Sequence, residues 1–176
     1  SNVIPKHLES IIAKLKEAGV TVEEGDEFVR VTMDKRPGRC NVKTMPHPGF
    51  PTDMQPQFAT LLAIADGTSI VTESVWESRF RYVEQLTFMG ADIQVDGKSA
   101  IISGTERLKA APVKADDLRA GAAMIIAGLV AEGQTEITDI EYIDRGYEQV
   151  VEKLTAVGAD IKRVSDENIG YSLKAN

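Results

Sequence analysis

The sequence has very little of the chemistry that builds metal centres and disulfides. Its 176 residues include one cysteine, Cys40, and two histidines, His7 and His47. A lone cysteine excludes an intramolecular disulfide and is typical of proteins from a reducing compartment. These three residues also lack the spacing that metal ligands use, so we predict that no metal is bound. No glycine-rich phosphate-binding loop is present, and we expect no cofactor.

Excess positive charge and long apolar runs are equally scarce. The 27 aspartates and glutamates outnumber the 20 lysines and arginines, so the formal net charge is −7. An acidic chain of this kind is not expected to bind nucleic acid or an anionic membrane surface. The longest uncharged stretch, residues 120–131, is too short to span a bilayer. Residues 1–15 lack the apolar segment of a signal peptide, so we expect a cytoplasmic protein.

What the sequence does contain is an internal repeat. Residues 13–19, 84–90 and 152–158 each have the pattern of a helix end closed by a glycine. Glycine suits this place because the residue after a helix often needs a positive φ angle. Stretches 67–79 and 133–145 are a second matched pair, each opening with a glycine and closing with an arginine. Several matches in one register indicate a duplicated unit.

The repeated unit has the predicted order βαβαββ. A short strand leads to an apolar helix, a β-branched strand follows, and then come a second helix and a hairpin. We place the tail of a first unit at residues 1–40, a second unit at 41–109 and a third at 110–176. The front half of the first unit is absent from the sequence. We therefore expect residues 1–176 to form a single truncated domain.

The apolar pattern predicts a mixed α/β fold with its helices inside. Residues 124–131 are apolar nearly all round, which is typical of a buried helix. The predicted hairpins have only one apolar face, as at Val29 and Val31, and the second unit's hairpin is expected to turn at Asp96-Gly97. Helices inside and sheets outside would satisfy both patterns. A layered α/β sandwich would fit nearly as well.

Residues 45–53 form an unusual segment, with three prolines and a glycine. The segment delivers Asp53 to a helix start, where aspartate is a common N-cap, and Thr52 with Gln55 fits a capping box. From the residues alone we favour this simple interpretation. A cap does not need so long and rigid an approach, so the alternative is a site. There Asp53 could accept a proton from a substrate hydroxyl, although the helix end would weaken it as a base.

Three arginines are candidate anion-binding residues. Arg79 and Arg145 occupy equivalent loop positions in the two repeats, and Arg119 follows Asp117 at a helix start. The planar guanidinium matches a carboxylate or a phosphate. Pairing with nearby acidic residues would explain each arginine structurally, and the residues alone leave both interpretations open. We interpret Cys40 as a packing residue.

Four motifs resemble those of the UDP-N-acetylglucosamine enolpyruvyl transferases, and their order and spacing agree with that family over nearly the whole chain. They are Phe50-Pro51-Thr52-Asp53-Met54-Gln55, Glu77-Ser78-Arg79-Phe80, Asp117-Leu118-Arg119-Ala120 and Ile143-Asp144-Arg145-Gly146-Tyr147-Glu148. The shikimate-pathway enolpyruvyl transferase shares the architecture, but the run around Asp53 is not expected in it.

The resemblance implies an activity and a fold. Members of the family transfer the enolpyruvyl group of phosphoenolpyruvate to the 3-hydroxyl of UDP-N-acetylglucosamine and release phosphate, which commits the sugar to peptidoglycan synthesis. Their fold is an inside-out α/β barrel of two domains, each built from βαβαββ units, with the active site in the cleft between them. The partners that the resemblance implies are these two substrates and the second domain of the same protein.

The resemblance also assigns site residues. Asp53 matches the aspartate that binds the sugar hydroxyl and is proposed as its base. Val75 matches a position that touches the sugar nucleotide through its backbone. Arg119 and Arg145 match arginines around phosphoenolpyruvate and the intermediate, and Arg79 matches another arginine of that cleft. The implied catalytic residues are therefore Asp53, Arg119 and Arg145, and the implied substrate-binding residues are Asp53, Val75 and Arg79.

Other residues of the family are missing. Its reactive cysteine lies on a mobile loop of the other domain, and Cys40 does not match it. The lysine–asparagine pair near the family's N-terminus is absent, as are most residues that hold the uridine and phosphates. Such a chain would supply one wall of a two-walled site, with negligible activity and weak ligand binding. A rival interpretation is a non-catalytic α/β domain that binds a small anion or a protein partner.

Overall fold

The computed structural model describes residues 1–166 and 170–176. The first elements of the chain are a helix and a hairpin. A 3-10 turn at Pro5–Leu8 leads into helix α1 (Glu9–Glu17). Strands β1 (Thr21–Glu24) and β2 (Val29–Thr32) then pair antiparallel, with Thr21 opposite Thr32. This is the predicted helix–hairpin tail.

The next stretch has the predicted order of strand, helix, strand, helix, strand and strand. It consists of β3 (Val42–Lys43), a 3-10 turn (Thr52–Met54) that continues into α2 (Gln55–Ala63), β4 (Thr68–Thr72), α3 (Tyr82–Phe88), β5 (Asp92–Asp96) and β6 (Ser99–Ser103). The β5–β6 register pairs Asp96 with Ser99, so the hairpin turns at Gly97-Lys98. The predicted turn was one residue too early.

The last stretch follows the same order with one additional helix. It consists of β7 (Pro112–Lys114), α4 (Leu118–Val130), β8 (Thr135–Thr138), α5 (Glu141–Gly146), α6 (Val150–Ala156), β9 (Ile161–Asp166) and β10 (Gly170–Ala175). The prediction of a loop before the second helix was wrong here, because α5 occupies that loop. Within the described ranges, no helix has both the length and the apolar character needed to cross a membrane.

Two four-stranded sheets share one topology. The orders are β3-β4-β6-β5 and β7-β8-β10-β9, and in each sheet the first pair is parallel and the other two pairs are antiparallel. The chain also enters both sheets in the same way. Gly38 donates its N–H to the carbonyl of Ala18 over 2.8 Å, and Lys109 donates its N–H to Met89 over 2.8 Å. The sequence repeat thus corresponds to a repeated structure.

The glycines that mark the repeat have the backbone angles expected of them. The φ angles are +86° at Gly19, +88° at Gly90 and +99° at Gly158, and each of these residues follows a helix end. Positive φ is nearly cost-free only for glycine. These positions therefore explain why glycine ends all three helices.

Helices α2 and α4 carry the core. They pack against each other, α2 also contacts β4 and β6, and α4 also contacts β7, β8 and β10. Ala59, Ala63, Ala123 and Ala127 are fully buried on these helices, and small side chains let helix backbones approach closely. The burial predicted for the apolar helix is only partly confirmed, because Met124 and Ile125 are buried whereas Ile126 and Val130 are exposed. Strand β4 alternates between buried and exposed residues, and Ile70 on its outer face is 43 % exposed.

Candidate active site

The structure places Asp53 within the 3-10 turn at the start of α2, where its side chain caps nothing. Neither the 3-10 turn nor α2 has a side-chain cap hydrogen bond. The N-cap interpretation of Asp53 and the capping box with Thr52 were therefore wrong. The physical reason is that the 3-10 turn inserts before α2, so Asp53 lies inside the helical segment rather than ahead of it.

Asp117 is the residue that caps a helix. Its Oδ1 accepts hydrogen bonds from the backbone N–H groups of Arg119, over 2.8 Å, and Ala120, over 2.9 Å. These are two of the donors that a helix start leaves without an intrahelical partner. The cap fixes the first turn of α4 and with it the place from which the Arg119 side chain extends.

Arg119 and Arg79 converge on the carboxylate of Asp53. Nε of Arg119 donates to Oδ1 of Asp53 over 2.9 Å, and Nη2 of Arg79 lies 3.7 Å from the same oxygen. The hydrogen bond from Arg119 to Asp53 raises the pKa of the guanidinium, with burial acting in the opposite direction. The predicted pairing of arginines with sequence neighbours is wrong for these two, because the partner comes from another helix.

Arg79 is held in place by its surroundings. Its side chain is only 12 % exposed, and its guanidinium carbon lies 5.6 Å from the ring centroid of Trp76. The preceding residue, Ser78, has a φ of +59°, a region that non-glycine residues seldom occupy outside functional or strained turns. The turn therefore contains an energetically unfavourable backbone conformation at Ser78, directly before the arginine that contacts Asp53.

An open depression of about 320 Å³ borders this group. Its lining residues come from the turn before α3 and the start of α4, and they are Trp76, Glu77, Ser78, Arg79, Arg81, Asp117 and Arg119. A depression with two arginine forks beside a carboxylate can hold an anionic group and can place a hydroxyl against the carboxylate.

Val75 lies at the start of the loop that carries Arg79. Its side chain is exposed, and its N–H donates to Oε1 of Glu73 over 2.8 Å. The carbonyl oxygen is therefore the backbone group through which Val75 would contact a ligand.

Arg145 is not part of the Asp53 group. It lies in helix α5, not in a loop, and its guanidinium carbon is 5.9 Å from the ring centroid of Tyr142. The prediction that Arg145 lies in a loop was therefore wrong, although both arginines lie between the second strand of their stretch and the helix before its hairpin. The neighbouring Asp144 is bound by another arginine, because Nη1 of Arg163 donates to its Oδ2 over 2.9 Å.

Glu73 is a buried carboxylate that the sequence patterns did not single out. It directly follows β4 and is 2 % exposed. Burial by itself raises the pKa of this carboxyl group, but hydrogen bonds from Thr44, from the backbone of Trp76 and Val75, and from Thr52 outweigh it and lower the pKa. The only signal in the sequence was an acidic residue at the end of a strand rich in β-branched residues.

Tyr147 was also missed. It is half-buried and packs against the core beside α4. Burial raises the pKa of its phenol, while the charge of Arg119 opposes that shift and the charge of Asp53 adds to it. Its position just after Arg145 in a quoted motif was the available signal.

A comparison with protein families decides what kind of chain this is. The profile of EPSP synthase (3-phosphoshikimate 1-carboxyvinyltransferase) matches residues 1–154. The chain belongs to the EPSP synthase family. The cluster of Asp53, Arg79 and Arg119 is therefore a feature of a member of this family.

Within the EPSP synthase family, the chain is similar to proteins named for the sugar-nucleotide reaction. It is 59 % identical over 164 residues to UDP-N-acetylglucosamine 1-carboxyvinyltransferase 3 of Caldanaerobacter subterraneus subsp. tengcongensis, covering 93 % of this chain and 39 % of that protein. It is 56 % identical over 162 residues to UDP-N-acetylglucosamine 1-carboxyvinyltransferase 2 of Clostridium acetobutylicum, covering 92 % and 39 %. The resemblance found in the sequence motifs is confirmed, and the chain spans about two-fifths of the length of these relatives.

Solved structures agree with membership of the EPSP synthase family. The enolpyruvyl transferase NikO from Streptomyces tendae matches with a TM-score of 0.79 and 31 % identity, covering 87 % of this chain and 36 % of NikO. EPSP synthase from Acinetobacter baumannii matches with a TM-score of 0.67 and 20 % identity, covering 95 % and 38 %. The second match shows likeness of fold alone. Both support a mixed α/β fold of the enolpyruvyl transferase type.

Cys40 takes no part in the site of this EPSP synthase family member. Its side chain belongs to the core and is 2 % exposed. Burial, with a further contribution from Glu17, raises the pKa of the thiol to about 12. The prediction that Cys40 is a packing residue is confirmed, because a buried neutral thiol neither titrates near neutral pH nor reaches a substrate.

Proposed function

We propose that this chain is part of an enzyme that transfers the enolpyruvyl group of phosphoenolpyruvate to the 3-hydroxyl of UDP-N-acetylglucosamine. The product would enter peptidoglycan synthesis in the cytoplasm. The observation that carries the proposal is the convergence of Arg79 and Arg119 on the Asp53 carboxylate beside an open depression. The names of the relatives support the substrate class.

Arginines suit the anionic half of this reaction. Addition to phosphoenolpyruvate forms a tetrahedral species that carries a carboxylate and a phosphate side by side. Fixed guanidinium forks stabilise such charge without reorganising during the step. Arg119 and Arg79 supply two forks at the depression. Arg145 would supply a third fork, either after a movement of α5 or by contacting the substrate on the side opposite Arg79 and Arg119.

Asp53 is the proposed base for the sugar hydroxyl. In this structure its Oδ1 accepts a hydrogen bond from Nε of Arg119. When the anionic groups of phosphoenolpyruvate engage Arg119, Oδ1 of Asp53 would be released to accept the proton of the sugar hydroxyl.

The reaction also needs a group that delivers a proton to C3 of phosphoenolpyruvate. The hydroxyl oxygen forms a bond to C2 of phosphoenolpyruvate while C3 takes up a proton, and loss of phosphate with a proton from C3 then restores the double bond. Cys40 does not deliver the proton to C3, because its thiol is buried in the core. We assign that delivery to a second domain facing this depression.

The architecture that we propose has three βαβαββ units, with 1–40 the tail of the first, 41–109 the second and 110–176 the third. Helices α2 and α4, packed together and flanked by the two sheets, would line the inside of an inside-out barrel. The chain alone would then form one wall of the cleft, with weak substrate binding and negligible turnover.

The test is phosphate release from phosphoenolpyruvate by the full-length protein. UDP-N-acetylglucosamine and shikimate 3-phosphate are offered separately, and the assay is repeated with Asp53→Ala. Release with the sugar nucleotide only, falling at least about a hundredfold in the variant, is expected for a lost general base. Asp144→Ala is the matched control, because Asp144 is also a partly exposed carboxylate paired with an arginine.

The other outcomes identify the rival functions. Release with shikimate 3-phosphate would make the chain part of the shikimate-pathway enzyme. Release with neither acceptor, together with binding of phosphoenolpyruvate or inorganic phosphate to the chain, would favour a non-catalytic anion-binding domain. Equal losses in Asp53→Ala and Asp144→Ala would remove Asp53 from the chemistry.

A further inference from the structure

We propose that Glu73 is a positioning residue that fixes the acceptor side of the site, and this inference rests on the proposed function. One carboxylate holds two separate loops together. The first loop, residues 45–51, leads to Asp53. The second loop, residues 75–81, carries Val75 and Arg79.

The hydrogen bonds of Glu73 reach both ends of the first loop. Its Oε1 accepts from the hydroxyl of Thr44 over 2.6 Å, and its Oε2 accepts from the hydroxyl of Thr52 over 2.8 Å. Thr44 immediately precedes the loop, and Thr52 is the residue before Asp53. One hydroxyl–carboxylate bond therefore ties the residue before Asp53 to Glu73.

The same carboxylate holds the start of the second loop. Its Oε1 also accepts the backbone N–H of Val75 over 2.8 Å and that of Trp76 over 3.1 Å. Hydrogen bonds to a buried carboxylate are shorter and stronger than those between neutral groups. A displacement of Glu73 would consequently move the Val75 backbone and Asp53 together.

Glu73 itself is anchored by the sheet. It follows the last residue of β4, and its N–H donates to the carbonyl of Lys98 over 2.8 Å. We call the hydrogen bonds from Thr44, Thr52, Val75 and Trp76 to the Glu73 carboxylate the clamp. The clamp connects two loops that have little regular structure to β4 and to the β5–β6 turn. Sites supported in this way keep their geometry better than loops held by their own contacts.

The third repeat shows that the fold does not require this clamp. Thr44 donates its N–H to Thr72 over 2.9 Å, and at the matching place Ala115 donates its N–H to Thr138 over 3.0 Å. Ala115 has no hydroxyl to offer, and only Asp116 separates it from the helix cap Asp117. The sheet nevertheless has the same strand order. The hydroxyl–carboxylate clamp therefore belongs to the site and not to the repeat.

Loss of the hydrogen bonds to Glu73 should affect one substrate more than the other. Asp53 and the Val75 backbone face the sugar nucleotide in the proposed function, whereas phosphoenolpyruvate is held by the arginines. Loosening the clamp should weaken use of UDP-N-acetylglucosamine most, and the apparent affinity for phosphoenolpyruvate should change less, because Arg119 lies on α4 outside both loops. A general loss of stability would instead reduce the amount of active enzyme and leave both KM values where they were.

The experiment compares Thr52→Val, Glu73→Gln and Glu73→Ala in the full-length protein. Thr52→Val removes one hydrogen bond to the carboxylate and keeps the side-chain volume. We expect it to raise the KM for UDP-N-acetylglucosamine about tenfold, as for a lost hydrogen bond to a charged group, with the KM for phosphoenolpyruvate changed less than about twofold. Glu73→Gln keeps an oxygen at the Oε1 position, so it should retain more activity than Glu73→Ala.

Ser172→Ala is the matched control. It removes a buried hydroxyl that donates to Oε1 of Glu136 over 2.9 Å in the other sheet. Both KM values should stay near those of the unsubstituted protein. Equal KM changes in Ser172→Ala and Thr52→Val, or parallel changes for both substrates, would overturn the positioning role of Glu73.

Amide hydrogen exchange separates a failure of this inference from a failure of the proposed function. Thr52→Val lies in the first loop, and we expect it to accelerate exchange of the Val75 and Trp76 amides in the second loop. If the unsubstituted protein releases no phosphate but this acceleration occurs, the function is wrong and the clamp stands. If the two amides exchange as in the unsubstituted protein, the clamp is refuted whatever the activity.

Discussion

Asp53 and Arg119 are 66 residues apart in the sequence, yet Nε of Arg119 lies 2.9 Å from Oδ1 of Asp53. The contact exists because α2 and α4, which begin just after Asp53 and just before Arg119, pack against each other. It joins the second repeat to the third at the edge of the proposed site.

The Asp53–Arg119 pair should contribute little to stability. The two side chains are 59 % and 36 % exposed, and ion pairs at that exposure are worth up to about 1 kcal/mol. A double-mutant cycle with Asp53→Ala and Arg119→Ala, followed by urea unfolding, should give a coupling free energy within that range. The Asp144–Arg163 pair, 41 % and 39 % exposed, serves as the comparison. A coupling of more than about 2 kcal/mol would mean that the pair is structural.

Asp117 should matter for stability where Asp53 does not. Asp117→Ala removes the acceptor for the N–H groups of Arg119 and Ala120, the second and third residues of α4, and loss of such a cap costs about 1 kcal/mol. Asp117→Ser restores an acceptor and should recover most of that loss. The measurement is the free energy of unfolding in urea, with Asp53→Ala as the non-capping aspartate. An Asp53→Ala variant as destabilised as Asp117→Ala would contradict this assignment.

Cys40 should resist modification by thiol reagents in the folded protein. Only the thiolate reacts, and burial raises the pKa of this thiol to about 12. Labelling by an aromatic disulfide reagent at pH 8 should therefore be very slow in buffer and rapid in concentrated urea. Raising the pH from 8 toward 10 should speed the native reaction about tenfold per pH unit, because both values lie below this pKa and the thiolate fraction grows with pH. Rapid stoichiometric labelling in buffer would place the thiol at the surface.

The pH dependence of stability should carry a contribution from Glu73. Its folded pKa lies below the ordinary value of 4.5, so unfolding takes up a proton as the pH falls below that value. The stabilisation is present above pH 4.5 and is lost as the pH falls through the folded pKa. In Glu73→Gln the free energy of unfolding should therefore fall less steeply below pH 4.5. Identical slopes in the two proteins would show that the carboxyl group titrates alike in both states.

Short-range patterns made much of the fold predictable. The glycines at 19, 90 and 158 closed helices because their φ angles are positive, a requirement that depends on adjacent residues only. The all-apolar run in α4 predicted burial, and the hairpin residues predicted β1–β2 and β5–β6. The motif resemblance named Asp53, Arg79 and Arg119, and the structure brings these three together.

The predictions that failed concern residues that contact segments far away in the sequence. Thr52 was predicted to serve a capping box, but its hydroxyl donates to Glu73, which arrives from β4. Arg145 was predicted in a loop, but the segment forms helix α5. In both cases a local pattern allowed two structures of similar energy, and packing selected the one that the pattern did not favour.

The sequence by itself determined the repeated order of strands and helices, the burial of one face of α4 and the identity of the acidic and arginine residues at the candidate site. Those features depend on backbone preferences and on the spacing of apolar residues, which are properties of short segments. Only the tertiary structure decided that Asp53 binds Arg119 instead of capping α2 and that Glu73 joins two loops. Such contacts arise when helices and strands from different repeats pack, and their energies depend on distances that no short segment contains.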